Sequence, residues 1–338
     1  MSRLLFRISI FALAIFFCAS PTSTPAASQA GANSSPELNQ ARHLFDLGNY
    51  AAAATALNNV VARNSNDAEA QFWLARTYYE QRDFDNAAEH AEHAVQIDPK
   101  NSDYHLWLGR SYGEQADRER SFSLARKVKK EFEEAVRLNP SNLDARRDLE
   151  EFELQAPWVV GGNKDDAREQ ATAIAAVDPV RGHLALALYD REALKKNELA
   201  ENEYHQILES KVDRVDAYFE IASFYRNLGK AAEMEPALQA AEKLKPGDPR
   251  IGYYRAIQRI LTGTQLSAAE PLLKAYLANT PPRSDWPSHA SARNWLGRLY
   301  EQEGKRQQAA EQYHAALELD PTDKEAREKL QKLEKNSQ

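Results

Sequence analysis

The sequence predicts an all-α solenoid of about eight stacked helix pairs closed by a C-terminal helix. Three observations carry this. Alanine, glutamate and leucine are plentiful while β-branched runs are scarce, a balance that favours helix. Helix-like runs end at Asp98-Pro99, Asn139-Pro140, Asp178-Pro179, Lys245-Pro246 and Asp320-Pro321, with gaps of 41, 39, 67 and 75 residues. Each gap is one or two periods of about 34 residues with a small insertion or deletion. Small residues then recur inside that period: Ala75, Gly109, Ala222 and Gly297 mid-way along a first helix, and Ala53, Ala87, Ala200 and Ala309 early in a second. Two helices approach closely only where side chains are small.

Composition sets the outer bounds. With 338 residues the chain is too long for one compact core of ordinary size, so a repeat array or two domains is required. Charged residues at 28% and hydrophobic residues at 43% suit a folded, soluble chain. Lys+Arg 43 against Asp+Glu 50 argues against a nucleic-acid partner, because phosphate binding needs clustered cations.

The N-terminus stands apart. Arg3 and Arg7 precede an apolar run from Ile8 to Ala19, broken only by Ser9, and small residues follow. This is the pattern of a secretory signal, with cleavage near Ala26 or Ala30 and a periplasmic or secreted destination. An uncleaved anchor is the other reading, although the run is shorter than the roughly 20 residues of a spanning helix. Cys18 is the sole cysteine, and Phe17 stands where lipoprotein signals carry a small residue. Membrane contact is therefore expected only through an uncleaved anchor or lipidation at Cys18. Cleavage beyond Cys18 leaves no disulfide, and losing two arginines moves the net charge from −7 to −9.

In order, the repeats are read as 34–67, 68–101, 102–142, 143–180, 181–214, 215–248, 249–282 and 290–323, with a charged capping helix over 324–336. Gly48-Asn49, Gly229-Lys230 and Gly304-Lys305 supply turns between the helices of a pair, since glycine accepts positive φ. The cap covers an apolar face that the last repeat would otherwise expose. Four segments result: 1–30, signal and cleavage region; 31–142, repeats 1 to 3; 143–282, repeats 4 to 7; and 283–338, a linker, repeat 8 and the cap.

The unit Ala68 to Asn101 carries a family resemblance. Leu74, Ala75, Tyr78, Phe84, Ala87, Ala91, Ala94 and Pro99 resemble the pattern of the tetratricopeptide repeat (TPR), a pair of antiparallel helices. Leu296, Gly297, Tyr300, Gly304, Ala309, Tyr313, Ala316 and Pro321 match too, as do Ile221, Ala222, Tyr225, Gly229, Leu238, Ala241 and Pro246. Glu150 and Leu188 depart from it, standing where the family prefers a small residue. The resemblance implies a right-handed superhelical solenoid that acts as an interaction scaffold for a protein or peptide partner, without catalysis or cofactor.

Two neighbouring repeats are enlarged. Repeat 3 has seven extra residues around Arg118 to Ala125, including Phe122 and Leu124, and repeat 4 carries Gln155 to Gly162 between its helices. The two insertions are expected side by side. They are similar to those of exported bacterial TPR proteins with an Ala-Pro…Gly-Gly interhelix turn. Trp158, Val159 and Val160 are expected to bury against Phe122 and Leu124; the alternative is a docking patch for a cell-envelope assembly. Gly161-Gly162 is read as turn geometry, since Asp165 and Asp166 would repel an anion. A third insertion, Arg283 to His289, poses the same question for Trp286.

The resemblance also implies a ligand groove lined by first helices through positions 2, 5, 9, 12 and 13 of each repeat. Position 9 reads Arg42, Arg76 and Arg110, an arginine ladder suited to carboxylates. Leu38, Phe72 and Leu106 at position 5, with Phe45 and Tyr79 at position 12, would add contact area, and Trp158 is a separate candidate. Asp46, Glu80 and Glu114 lie four residues beyond the arginines, a spacing that stabilises a helix by about 0.2–0.5 kcal/mol per pair and would partly neutralise the ladder. The carboxylate-clamp subtype is not supported, because Leu38 and Arg42 replace its Lys and Asn.

No GxSxG, P-loop, GxGxxG or HExxH is present. His90 and His93, three apart, are the remote metal alternative. The acid pairs Glu133-Glu134, Glu150-Glu151 and Asp165-Asp166 are sequence neighbours and diverge on a helix.

Overall fold

The computed structural model describes residues 35–210 and 212–335. The signal region and Cys18 lie outside these residues. Among the described residues there are seventeen α-helices and no strand. They pair as α1 (Pro36–Asp46) with α2 (Tyr50–Arg63), α3 (Ala68–Glu80) with α4 (Phe84–Ile97), α5 (Ser102–Glu119) with α6 (Phe122–Leu138), and α7 (Leu143–Gln155) with α8 (Lys164–Val177). The series continues with α9 (Pro179–Glu192) and α10 (Asn197–Glu209), α11 (Val215–Asn227) and α12 (Glu235–Leu244), α13 (Pro249–Thr262) and α14 (Ala269–Asn279), α15 (His289–Gln302) and α16 (Arg306–Leu319), and ends with α17 (Lys324–Lys335). The helices separate into two compact bodies, one ending at Gln206 and the other beginning at Ile207 in the last turn of α10.

Helix starts are set by side-chain caps. Ser35, Asn49, Asp67, Asp83, Asn142 and Asp178 each accept a hydrogen bond from a backbone N–H three residues on. Asp178 both ends α8 and caps α9, so Pro179 opens the next helix at a position where its missing N–H costs nothing. Gly48, Gly229 and Gly304 take φ of 73°, 69° and 72° at the inter-helix corners. Arg82 and Arg120 occupy the equivalent left-handed conformation without being glycine.

The small residues work as expected, with one refinement. A Cβ on Gly109 would lie 2.5 Å from the Phe132 ring, and one on Gly297 would lie 2.5 Å from Tyr313. The second helix thus lays an aromatic face on the first helix's glycine. The extra residues of repeat 3 form no loop. They lengthen α5 to 18 residues and α6 to 17, against 13 and 14 in α3 and α4. Arg120 and Ser121 alone make the corner between the two lengthened helices. The chain's last helix acts as the cap: Ala326 and Leu330 of α17 cover Tyr300, Ala309, Tyr313 and Ala316. Glu150 is fully buried with Arg147 at 3.5 Å, and Leu188 packs with Leu154, Ala167 and Tyr189.

Candidate peptide-binding face

In the N-terminal body the first helices α1, α3 and α5 bring the three position-9 arginines into one series, and their environments differ. Arg42 is 3.2 Å from Glu69 of α3, with its guanidinium 4.9 Å from the Trp73 ring centre. Arg110 binds Asp148 of α7 through two nitrogens at 2.6 and 3.3 Å and stacks 4.8 Å over Trp107. The ladder is neutralised at both ends by carboxylates of the following repeat. Glu114 instead accepts from the Tyr79 hydroxyl at 3.1 Å. For Arg42 and Arg110 the pairing thus runs across repeats rather than along the helix.

Arg76 has no ion-pair partner among the described residues. Its guanidinium lies within a set of four rings, 4.3 Å from Trp73, 4.8 Å from Trp107, 5.0 Å from Phe45 and 5.6 Å from Phe72. Its Nε is buried without a hydrogen-bond partner. Burial, reinforced by the nearby Arg110 cation, outweighs the pull of Glu80, Asp46 and Asp103 and brings its pKa down to about 10. The reason is local. A position-9 side chain reaches positions 2 and 6 of the next repeat: Glu69 and Trp73 for Arg42, Asp103 and Trp107 for Arg76. Asp103 is drawn away, accepting from Asn142 Nδ2 at 2.9 Å. Asn142 is held in turn by capping α7 and by donating to Ser102 Oγ at 2.8 Å.

The other expected face residues divide. Phe72 is half-buried, edge-on to Trp73 at 5.8 Å and tilted against Tyr104 at 5.1 Å. Tyr79 is mostly buried and meets Trp107 edge-on at 5.4 Å. Leu38 and Leu106 belong to the core, at 1% and 2% exposure, and offer a ligand nothing. Trp73 and Trp107 were not singled out in the sequence, although their spacing of one repeat at position 6 was the signal that could have found them.

The Trp158 turn stands elsewhere on this body. Trp158 is 85% exposed and Val159 42%, whereas Val160 is buried beside Leu124. Burial of the whole run is therefore corrected: only the third residue reaches the core. The two insertions do lie side by side, since Arg126 donates to Val159 O and Lys129 to Gly161 O.

The C-terminal body contains a closed counterpart of the Arg76 setting. Arg250 is sandwiched 4.2 Å from Phe219 and 4.6 Å from Trp286, but Asp248 and Asp216 bind it at 2.7 and 2.8 Å, and it is 1% exposed. This places Trp286 in packing. His90 Nδ1 donates to Gln71 Oε1 at 2.7 Å and the ring stacks on Tyr78 at 5.4 Å, so one ring nitrogen and one face are already engaged.

Comparison with known families agrees with the architecture. A tetratricopeptide-repeat model matches residues 38–102 and 261–324, and a second tetratricopeptide-repeat model matches 215–248. The chain is a tetratricopeptide-repeat protein. Its all-α repeat fold is one typically used as a non-enzymatic scaffold for protein interaction. Among solved structures it is similar to a thermophilic TPR protein of Thermus thermophilus, at 19% identity and TM-score 0.45, covering 65% of this chain and 96% of that one. It is also similar to a TPR protein of Parabacteroides merdae, at 14% identity and TM-score 0.45, covering 88% and 96%. No curated protein sequence matches the chain.

Proposed function

We propose that this TPR protein is an exported interaction scaffold that holds a peptide segment of a partner protein against α1, α3 and α5. The observation that carries the reading is Arg76, a cation among four aromatic rings with no carboxylate within ion-pair distance among the described residues. A half-buried cation with no carboxylate in direct contact is only partly compensated, and a ligand carboxylate supplies the missing contact. Guanidinium suits the task because its planar fork donates two parallel hydrogen bonds to a carboxylate while its faces stay stacked on rings. Phe72 and the edges of Trp73 and Trp107 supply the half-buried apolar surface on which a neighbouring ligand side chain rests. Arg42 and Arg110, already paired, set the width of the site rather than its charge. Export rests on the N-terminal pattern of Arg3, Arg7 and the apolar run after them.

The test is a titration of the chain with a blocked tetrapeptide of leucine, aspartate and phenylalanine, read by tryptophan emission and by the Arg76 Nε–H resonance. The aspartate peptide is expected to move both signals, with the effect lost in Arg76→Met and in the asparagine version of the peptide. Equal binding of the aspartate and asparagine peptides, or undiminished binding to Arg76→Met, would overturn the reading.

A further inference from the structure

We propose that the Trp158 turn is a second interaction site, one that rests on an anionic bilayer surface. It is independent of the peptide face and of any N-terminal anchor. The turn is built to present its indole. Pro157 O accepts from Val160 N at 3.0 Å and Gly162 N at 3.2 Å, and Glu153 O accepts from Asn163 N at 3.0 Å. A Cβ on Gly162 would fall 1.8 Å from Ala156 O, so only glycine fits where the chain doubles back. Lys129 Nζ donates to Gly161 O at 2.8 Å and ties the turn to α6. Val160 plugs into the core. A segment fixed at so many points holds Trp158 in water at 85% exposure.

The surroundings select the occupant. Phe122, Arg126 and Lys130 follow one another at four-residue spacing along α6, all exposed, and Arg126 touches the turn at Val159 O. Lys129 already faces Glu133, Glu153 and Asp166 at 3.6, 3.7 and 3.8 Å. Arg126 and Lys130 have no carboxylate within ion-pair distance among the described residues, Lys127 lies over the Tyr112 ring at 4.9 Å, and Glu133 and Asp165 are exposed acids nearby. In an acidic chain of net charge −7, Arg126 therefore touches the turn of the most exposed tryptophan, and Lys130 follows one helical turn along α6, both without a carboxylate at ion-pair distance among the described residues. The core of a protein interface is depleted of charge, and lysine is scarce across such interfaces. An exposed tryptophan held beside Arg and Lys is the composition of a bilayer interface, where the indole sits at headgroup level and the cations meet anionic lipid. Among the described residues no helix is long and apolar enough to cross a membrane.

The test uses the full chain with phosphatidylcholine vesicles, with and without phosphatidylglycerol, each carrying brominated acyl chains that quench tryptophan on insertion. The Trp158 signal is the difference between the chain and Trp158→Phe, which isolates this residue even where another segment tethers the protein. Quenching of that difference signal on anionic vesicles is expected, with little on neutral ones. Arg126→Glu with Lys130→Glu should weaken it at least about tenfold, since each cation near an anionic surface is worth about 1 kcal/mol. A Trp158 signal untouched by anionic vesicles overturns the proposal. So does quenching that ignores the charge reversal, or a Trp158 that responds only to a protein partner.

Discussion

Replacing Arg76 with methionine should stabilise the empty protein while destroying its ligand site. The guanidinium is pushed down to about 10 by burial first and by Arg110 second. At about 1.4 kcal/mol per pKa unit, that corresponds to a cost of about 3 kcal/mol for holding the charge there. The four rings return part of it; a desolvated cation–π contact is worth about 2 kcal/mol, and several rings around one cation do not add in full. Methionine keeps the aliphatic length and contacts the same rings through sulfur without the charge. The difference predicts a gain of about 1 kcal/mol, a rise of about 2–4 °C in melting temperature for a body of this size. Thermal and urea unfolding of Arg76→Met, followed by circular dichroism, measures it. A loss of 1 kcal/mol or more would mean that Arg76 is a packing residue held by its rings, and the binding role would fall with it.

Other outcomes follow from the same contacts. Asn142→Asp keeps the α7 cap but removes the Nδ2 donor to Asp103, which is then free to turn to Arg76; affinity for an acidic peptide should fall about fivefold, measured by calorimetry. Arg110→Ala strands the largely buried Asp148 and should cost about 2–3 kcal/mol in urea unfolding. Burial raises the Glu153 carboxyl from its ordinary 4.5 to about 8 against the pull of Lys129. The folded state thus holds that proton more tightly than the unfolded chain, and this contribution to stability is full below about pH 4.5 and lost as pH rises through about 8. Glu153→Gln should flatten that decline in melting temperatures taken from pH 5 to pH 9. Trp158→Ser should change stability by less than about 0.5 kcal/mol, because the indole is 85% exposed.

The helix pairs were legible because a repeat writes the same packing problem many times. Ala75, Ala87 and Pro99 are each ambiguous alone, and their recurrence a period later is not. The arginine ladder was legible as a series, yet its charge state was not. Four-residue spacing pointed from Arg42, Arg76 and Arg110 to acids on their own helices, whereas the side chains reach the next repeat, whose positions 2 and 6 decide their fate. That Arg76 meets Trp107 and finds Asp103 taken by Asn142 depends on a contact spanning 39 residues, which no local pattern reports. Leu106 shows the converse: an apolar residue on a first helix is read equally well as core or as ligand surface, and packing against α6 and α7 makes it core. For the turn at 157–162, a hydrophobic run suggests burial. Lys129 and the Gly161-Gly162 backbone fix a conformation in which Val160 alone turns inward.

The central claim is that Arg76 reads a carboxylate on a peptide lying across α1, α3 and α5. The most direct measurement is selection of a random peptide library on the chain, with the survivors counter-screened on Arg76→Met of equal helicity. The account predicts survivors that share an acidic residue beside an apolar one and that fail to bind the variant. Survivors without a common acid, or survivors held equally by the variant, would contradict it.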